Sequence, residues 1–306
     1  MVDDSVPLKS VPSWIAQNAS LSDTTECHVS KPVVIRTKDD YDKYAANSTL
    51  VNSKTLGRVI VSWADITDSQ LATILQKKTH LQELVIEDCD KLTTMSPALD
   101  ALVSVDSRLV LENLKEVKSV ELKSLNTTGS ELLITKLPVV TSMQLPQLTK
   151  VGASLTFYNA YRTTTLSAPS LVAVNGSLVL LKLQTLAAET FATGFASLRT
   201  VGGNLQITQA SQTAGINSRT PLLLPAVTSV GALIVSGSYL VSLSMPLLQT
   251  VQSQMILAQN NYIRIVDTPS LTKVGGKITL SRMPALTSLC ELSLDKDDFS
   301  GGQVCC

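Results

Sequence analysis

One phrase recurs along this chain at a nearly fixed period, and no other feature limits the possible folds as much. It runs proline or a small residue, leucine, valine, a glycine, then two apolar residues one position apart. Pro146, Leu148, Val151, Gly152, Leu155 and Phe157 form one copy; Pro169, Leu171, Val174, Gly176, Leu178 and Leu180 form the next. Leu198 to Ile207, Pro225 to Val235, Pro246 to Leu257 (without the glycine) and Pro269 to Leu280 continue the series. The prolines step by 23 residues from 146 to 169, by 21 from 225 to 246 and by 23 from 246 to 269, while the stretch from 180 to 225 is longer and predicts loop insertions. A period of this length means stacked supersecondary units that share one extended core.

The spacing inside each copy sets its geometry. Leu155/Phe157, Leu178/Leu180, Leu205/Ile207 and Ile278/Leu280 are two apart, which puts both side chains of a pair on the inner face of a strand and the residue between them outside. A second short apolar phrase lies between copies, as in Leu137-Pro-Val-Val-Thr-Ser-Met143 and Tyr239-Leu-Val-Ser-Leu243, so each turn contains about three short strands. Glycine ahead of each pair suits a corner that needs positive φ or has no room for Cβ. Proline suits a strand start or corner, where no ladder donor is missed. Leu81-x-x-Leu84-x-Ile86-x-x-Cys89-x-x-Leu92 also reads as a leucine-rich repeat, but Val151 to Leu155 and Val201 to Leu205 are four apart rather than three, and no asparagine ladder recurs. The prediction is a mostly β chain: a right-handed parallel β-solenoid of twelve or so turns, on the order of 55 to 60 Å long at ~4.8 Å per strand.

The amino-terminal part reads differently. Thr37-Lys-Asp-Asp40 and Thr67-Asp-Ser-Gln70 are helix starts of the capping-box type, followed by apolar residues at helical spacing, and Val33 to Ile35 and Val59 to Val61 read as strands beside the first coil. Helices here would shield an open sheet edge. The predicted organisation is a poorly ordered arm (1–26), a cap with the first turns (27–95), the repeat solenoid (96–289) and a carboxy-terminal cap (290–306).

Lys plus Arg number 25 and Asp plus Glu number 25, for a net charge of zero. That balance argues against a nucleic-acid or anionic-membrane binder. Residues 1–150 hold 19 of the acids, whereas 151–263 contain Glu189 alone. The central turns therefore lack the paired carboxylates of a polysaccharide hydrolase or the acid set of a calcium-dependent lyase. Val201-Gly-Gly-Asn and Val274-Gly-Gly-Lys lead into strands, not helices, and do not read as phosphate loops. His28 and His80 build neither a nucleophilic site nor, with the cysteines, a zinc site. No catalytic, cofactor-binding or metal-ligating residue is predicted. The uncharged run from Thr220 to Ile263 includes an apolar window, Leu222 to Val241, whose Pro225, Gly231 and Gly237 read as strand and turn breaks, not as a membrane span.

Binding candidates are few because aromatics make up only 4% of the chain. Phe157-Tyr-Asn-Ala-Tyr-Arg162 concentrates them; Phe157 is inward by register, and Tyr158, Tyr161 and Arg162 are the residues free to stack on a sugar or anchor a partner protein. Asn260-Asn-Tyr262 is a second, weaker candidate. Sequons at Asn18, Asn47, Asn126 and Asn175 are glycan acceptors if the chain passes through a secretory pathway. No secretory signal follows Asp3 and Asp4, so a secreted parent is expected to have been trimmed. The five cysteines, Cys27, Cys89, Cys290, Cys305 and Cys306, lie near the two ends, where a solenoid's terminal turns lack a neighbour and benefit from staples.

Ser270-Leu-Thr-Lys-Val-Gly-Gly-Lys-Ile-Thr-Leu280 and Leu198-Arg-Thr-Val-Gly-Gly-Asn-Leu-Gln-Ile207 resemble the repeat of receptor L domains, the β-helical ligand-binding units of insulin and epidermal growth factor receptors. They are more similar still to fungal GPI-anchored cell-wall proteins of the sporulation-specific and extracellular-mutant group. Cys27, Val33 to Ile35, Lys38 to Ala46 and Arg58 to Val61 resemble the opening of an L domain, so the likeness covers about residues 27–306. It implies a non-enzymatic, extracellular glycoprotein of a cell surface or cell wall, with a structural, adhesive or binding role toward protein or cell-wall polysaccharide and with membrane attachment only through a lipid anchor that this chain does not show. A receptor ectodomain for one protein or glycan is the alternative, and a β-helical carbohydrate-active enzyme a more distant one. The family's closing disulfide implies Cys290 with Cys305 or Cys306. Its opening normally has a second cysteine where this chain reads Ala46-Asn-Ser-Thr49, so Cys27 lacks its expected partner; Cys89 is either that partner or a buried free thiol.

Overall fold

The computed structural model describes residues 32–186, 193–208 and 220–290. The chain divides into two compact units, Met1–Ser30 and Lys31–Cys306; the first, with the predicted arm, lies outside the described residues. The second is a right-handed parallel β-solenoid of about ten turns, mostly β with few helices, as the repeat predicts.

Inward-facing residues stack in register along its length. Leu84 pairs with Leu109, then come Leu132, Leu155, Leu178, Leu205, Leu233, Met255 and Ile278, each one coil further on. All nine are at most 2% exposed, which identifies the column as core. A leucine so buried contributes about 1.5–3 kcal/mol by leaving water, and its truncation to alanine costs about 2–5 kcal/mol because a cavity is added. The dehydration of these columns is what holds one coil on the next, since each coil alone has no second layer to pack against.

Every described pairing in the main ladder is parallel, and the third strand of each coil forms separate sheets. Ser119–Glu121, Ser142–Gln144 and Thr165–Ser167 make one; Thr220–Leu223, Leu240–Ser244, Ile265–Asp267 and Ser288–Cys290 make the other. The break coincides with the longest coils: Leu178 to Leu205 is 27 residues and Leu205 to Leu233 is 28, where Leu132 to Leu155 is 23. These are the insertions the long interval between copies predicts. The ladder from Val33–Ile35 to Ile278–Ser281 has fewer coils than the twelve expected and rises on the order of 48 Å at ~4.8 Å per step. Longer coils in the cap and after Leu178 use up the difference.

The corner glycines are there for space. An added Cβ on Gly152 would lie 1.9 Å from the carbonyl oxygen of Gly129, and on Gly129 1.9 Å from that of Asp106. Left-handed backbone occurs elsewhere, in a column at the end of the long strand: Asp88, Asn113, Lys136, Asn159, Lys182, Gly237, Gln259 and Arg282, all with φ between 51° and 59°. Prolines sit at the turn after the third strand, and the next coil's serine braces them: Ser170 Oγ donates to the Pro146 carbonyl at 2.7 Å and Ser270 Oγ to that of Pro246 at 2.6 Å.

The cap follows its sequence signals. Thr37 and Asp40 close a capping box at helix α1 (Lys38–Ala46), Asn47 caps α2 (Ser48–Asn52), and Thr67 with Gln70 starts α3 (Asp68–Leu75), whose Leu71, Ile74 and Leu75 are buried. Lys78, fully buried, donates its Nζ to the carbonyls of Leu50, Val51 and Ser53 at 2.6, 3.0 and 2.7 Å. It thereby satisfies the orphan acceptors at the end of α2. Among the described residues no helix is long and apolar enough to cross a membrane, and Leu222 to Val241 is divided among three strands.

Candidate functional site

The left-handed column marks one longitudinal edge of the solenoid, where each coil leaves the main sheet for the third face. Four of the chain's six tyrosines cluster on it. Tyr158 ends a main strand beside Asn159, and the Lys182 Nζ of the next coil lies 5.4 Å from its ring centroid and donates to its hydroxyl at 3.5 Å. Tyr161, 37% exposed, donates its hydroxyl to Asn159 Oδ1 at 3.0 Å, and exposed Arg162 follows it. The predicted binding candidates thus share one corner, with Phe157 fully buried beneath them.

Lys182 is absent from the sequence reading, although it lies 24 residues, one coil, beyond Tyr158. Tyr239 enters that reading only as the start of a short apolar phrase, not as a binding candidate. Its ring packs on that of Tyr262 with centroids 5.1 Å apart and planes at 34°. Asn260 explains why this second corner is fixed. It is fully buried, accepts from the Ser238 backbone N–H at 3.2 Å and donates to the Val235 carbonyl at 2.8 Å, so it staples two consecutive coils where the rings emerge.

Asn126 and Asn175 are placed beside short strands at corners of the solenoid, and Asn47 at the junction of α1 and α2. Asn47, Asn126 and Asn175 are all exposed. Asn47 Oδ1 accepts the Leu50 N–H at 3.1 Å and Asn126 Oδ1 accepts from Thr149 Oγ1 at 2.6 Å, bonds that leave each Nδ2 available for a glycan. Asn18 lies outside the described residues, as do Cys27, Cys305 and Cys306 and the side chain of Cys290. Cys89 is a buried free thiol, and its Sγ donates to the Glu87 carbonyl at 3.1 Å. Burial pushes that thiol up to about 11, which makes it a poor nucleophile.

Several acids of the amino-terminal coils are engaged coil to coil. Asp90 pairs with Lys115 at 3.0 Å, Asp65 with Lys91 at 2.7 Å and Glu112 with Lys136 at 2.7 Å. Asp88 accepts from Asn113. Glu83, 6% exposed, accepts from both Arg58 and Arg108. Asp88 and Asp90 therefore serve as ladder wiring. A scan of protein-family models, a search of curated proteins and a search of solved structures found no match to this chain.

Proposed function

We propose that this chain is a non-enzymatic extracellular glycoprotein of a cell surface or cell wall, acting by adhesion, support or binding. The observation that carries the reading is the placement of Asn47 at a helix junction and of Asn126 and Asn175 at corners, each exposed with its amide nitrogen unused by the hydrogen bonds described above. A glycan there leaves the inward columns and the ladder undisturbed. The resemblance of its repeats to receptor L domains and to fungal cell-wall proteins points the same way.

Mass spectrometry of the natively produced protein, before and after enzymatic deglycosylation, tests the proposal. Occupied Asn126 or Asn175 is the expected result. Unmodified asparagines on a protein recovered from the cytosol would defeat it, leaving an intracellular repeat scaffold. Receptor-like recognition of one protein or glycan is a second reading, favoured by the corner that joins Tyr158, Tyr161, Arg162 and Lys182. Its mark is loss of binding when Tyr161 or Arg162 is replaced by alanine.

A further inference from the structure

Charge along the solenoid divides sharply. Residues 151–290 contain eight Lys and Arg against two acids, Glu189 and Asp267, a net of +6, whereas residues 1–150 carry −3. In the amino-terminal coils the cations of the left-handed edge are spent on neighbouring carboxylates, as in Lys115 with Asp90 and Lys136 with Glu112. From Tyr158 onward Arg162, Lys182, Arg264 and Arg282 have no carboxylate partner among the described residues, and Asp267 Oδ2 accepts from Ser244. The same edge holds the tyrosines.

Two aromatic and cationic clusters result. One is Tyr158, Tyr161, Arg162 and Lys182 at two consecutive coils. The other is Tyr239 and Tyr262, stacked at the corner that buried Asn260 holds, with exposed Arg264 and Arg282 just beyond. In-register stacking sets the coils of Lys182 and Gly237 two steps apart, ~10 Å, and those of Lys182 and Arg282 four steps apart, ~19 Å. Rings fixed before binding cost little entropy to use. A tyrosine face takes the C–H face of a sugar ring, and a guanidinium takes a carboxylate, sulfate or phosphate bidentately. The described cations lie one coil apart within each cluster and three coils, ~14 Å, apart between the clusters, a broken row where the continuous backbone charge of a nucleic acid would need an unbroken one. They suit a polymer whose rings carry acid groups at intervals.

We propose that this edge binds an acidic polysaccharide lying along the solenoid axis. The inference deepens the binding role proposed above and rests on it. Polygalacturonate and its methyl ester are the probes, since they share a backbone and differ in charge. The full chain is expected to be retained by polygalacturonate at low salt, to be released as salt rises and to bind the methyl ester at least about tenfold more weakly. Arg264→Glu with Arg282→Glu, both exposed, is expected to abolish retention without moving the melting temperature. Tyr239→Ala with Tyr262→Ala is expected to weaken it about tenfold. Equal binding to the methyl ester, indifference to the arginine reversals, or tighter binding to a single-stranded oligonucleotide or to anionic vesicles would overturn the proposal. A glycosylated, surface-held protein that ignores polygalacturonate defeats this inference alone; an unglycosylated cytosolic protein that binds it defeats the surface reading alone.

Discussion

The Arg108 Nε donates to Glu83 Oε1 at 2.5 Å from one coil further on, while Arg58, one coil back, donates to Oε2. Three coils are thus bolted through one carboxylate whose side chain is only 8% exposed. Burial acts to raise the Glu83 carboxyl, but the hydrogen bonds and charges of Arg108 and Arg58 outweigh it and hold the group below its ordinary 4.5. A lowered carboxyl stabilises the fold above the unfolded value, and that contribution is lost as pH falls through the folded one. Denaturant unfolding of the wild type should therefore weaken below about pH 4.5 more steeply than that of Glu83→Gln, which should cost about 1–3 kcal/mol at pH 7. Parallel acid profiles for the two proteins would show that the ladder carries no such linkage.

Two glycines on different corners should respond very unequally. Gly152→Ala places a Cβ on the backbone carbonyl of Gly129, and backbone held in a ladder on both sides yields only by separating coils. A loss of more than about 2 kcal/mol, or failure to fold, is expected. Gly237, at φ 59°, occupies the position that Asn113 and Asn159 fill in other coils. Gly237→Asn should change stability by less than about 1 kcal/mol, and melting curves of the two variants side by side decide the matter.

Those two corners also mark what the sequence made legible and what it did not. The inward pairs, the glycine corners, the capping boxes at Thr37 and Thr67 and the long coils after Leu178 were readable because each imposes one residue type at a fixed offset. The left-handed column was not, because Asp, Asn, Lys, Gly, Gln and Arg all occupy it; the position demands a φ, at a cost of about 1–2 kcal/mol per residue that the ladder absorbs, and no particular chemistry. Its spacing, 23 residues from Asn113 to Lys136 and again to Asn159, was the available signal. The Tyr158 with Lys182 pair and the Arg58, Glu83, Arg108 bolt escaped because each joins unlike residues one coil apart, whereas a repeat is recognised by residue types that stay the same from coil to coil. Lys78 escaped because a lysine beside Lys77 reads as solvated surface.

Cys89 should be silent toward thiol reagents in the folded protein. Its thiol is buried and pushed up to about 11 by that burial. A raised acid keeps its proton in the folded state while the unfolded chain loses it, so this group makes stability fall as pH rises between about 9 and 11. Alkylation at pH 8 followed by peptide mapping should find Cys89 unmodified until denaturant is added. Modification at the rate of a free thiol in native buffer would mean that the first coils open readily.

Lys78 offers the sharpest test of how the cap is attached. Its stem is in the core at 0% exposure, yet its ammonium meets the carbonyls of Leu50, Val51 and Ser53. Lys78→Met keeps the stem's volume and removes every donor, leaving those acceptors at the end of α2 without the one group that reaches all three. Lys78→Arg keeps charge and donors but has a planar fork too large for the same space. Both should loosen residues 48–53 and raise their amide exchange, with the methionine variant losing about 2–4 kcal/mol while the coils from Leu132 onward keep wild-type protection. Uniform loss of protection along the whole ladder would show instead that cap and solenoid unfold as one unit, and that the Lys78 bonds contribute to all of it.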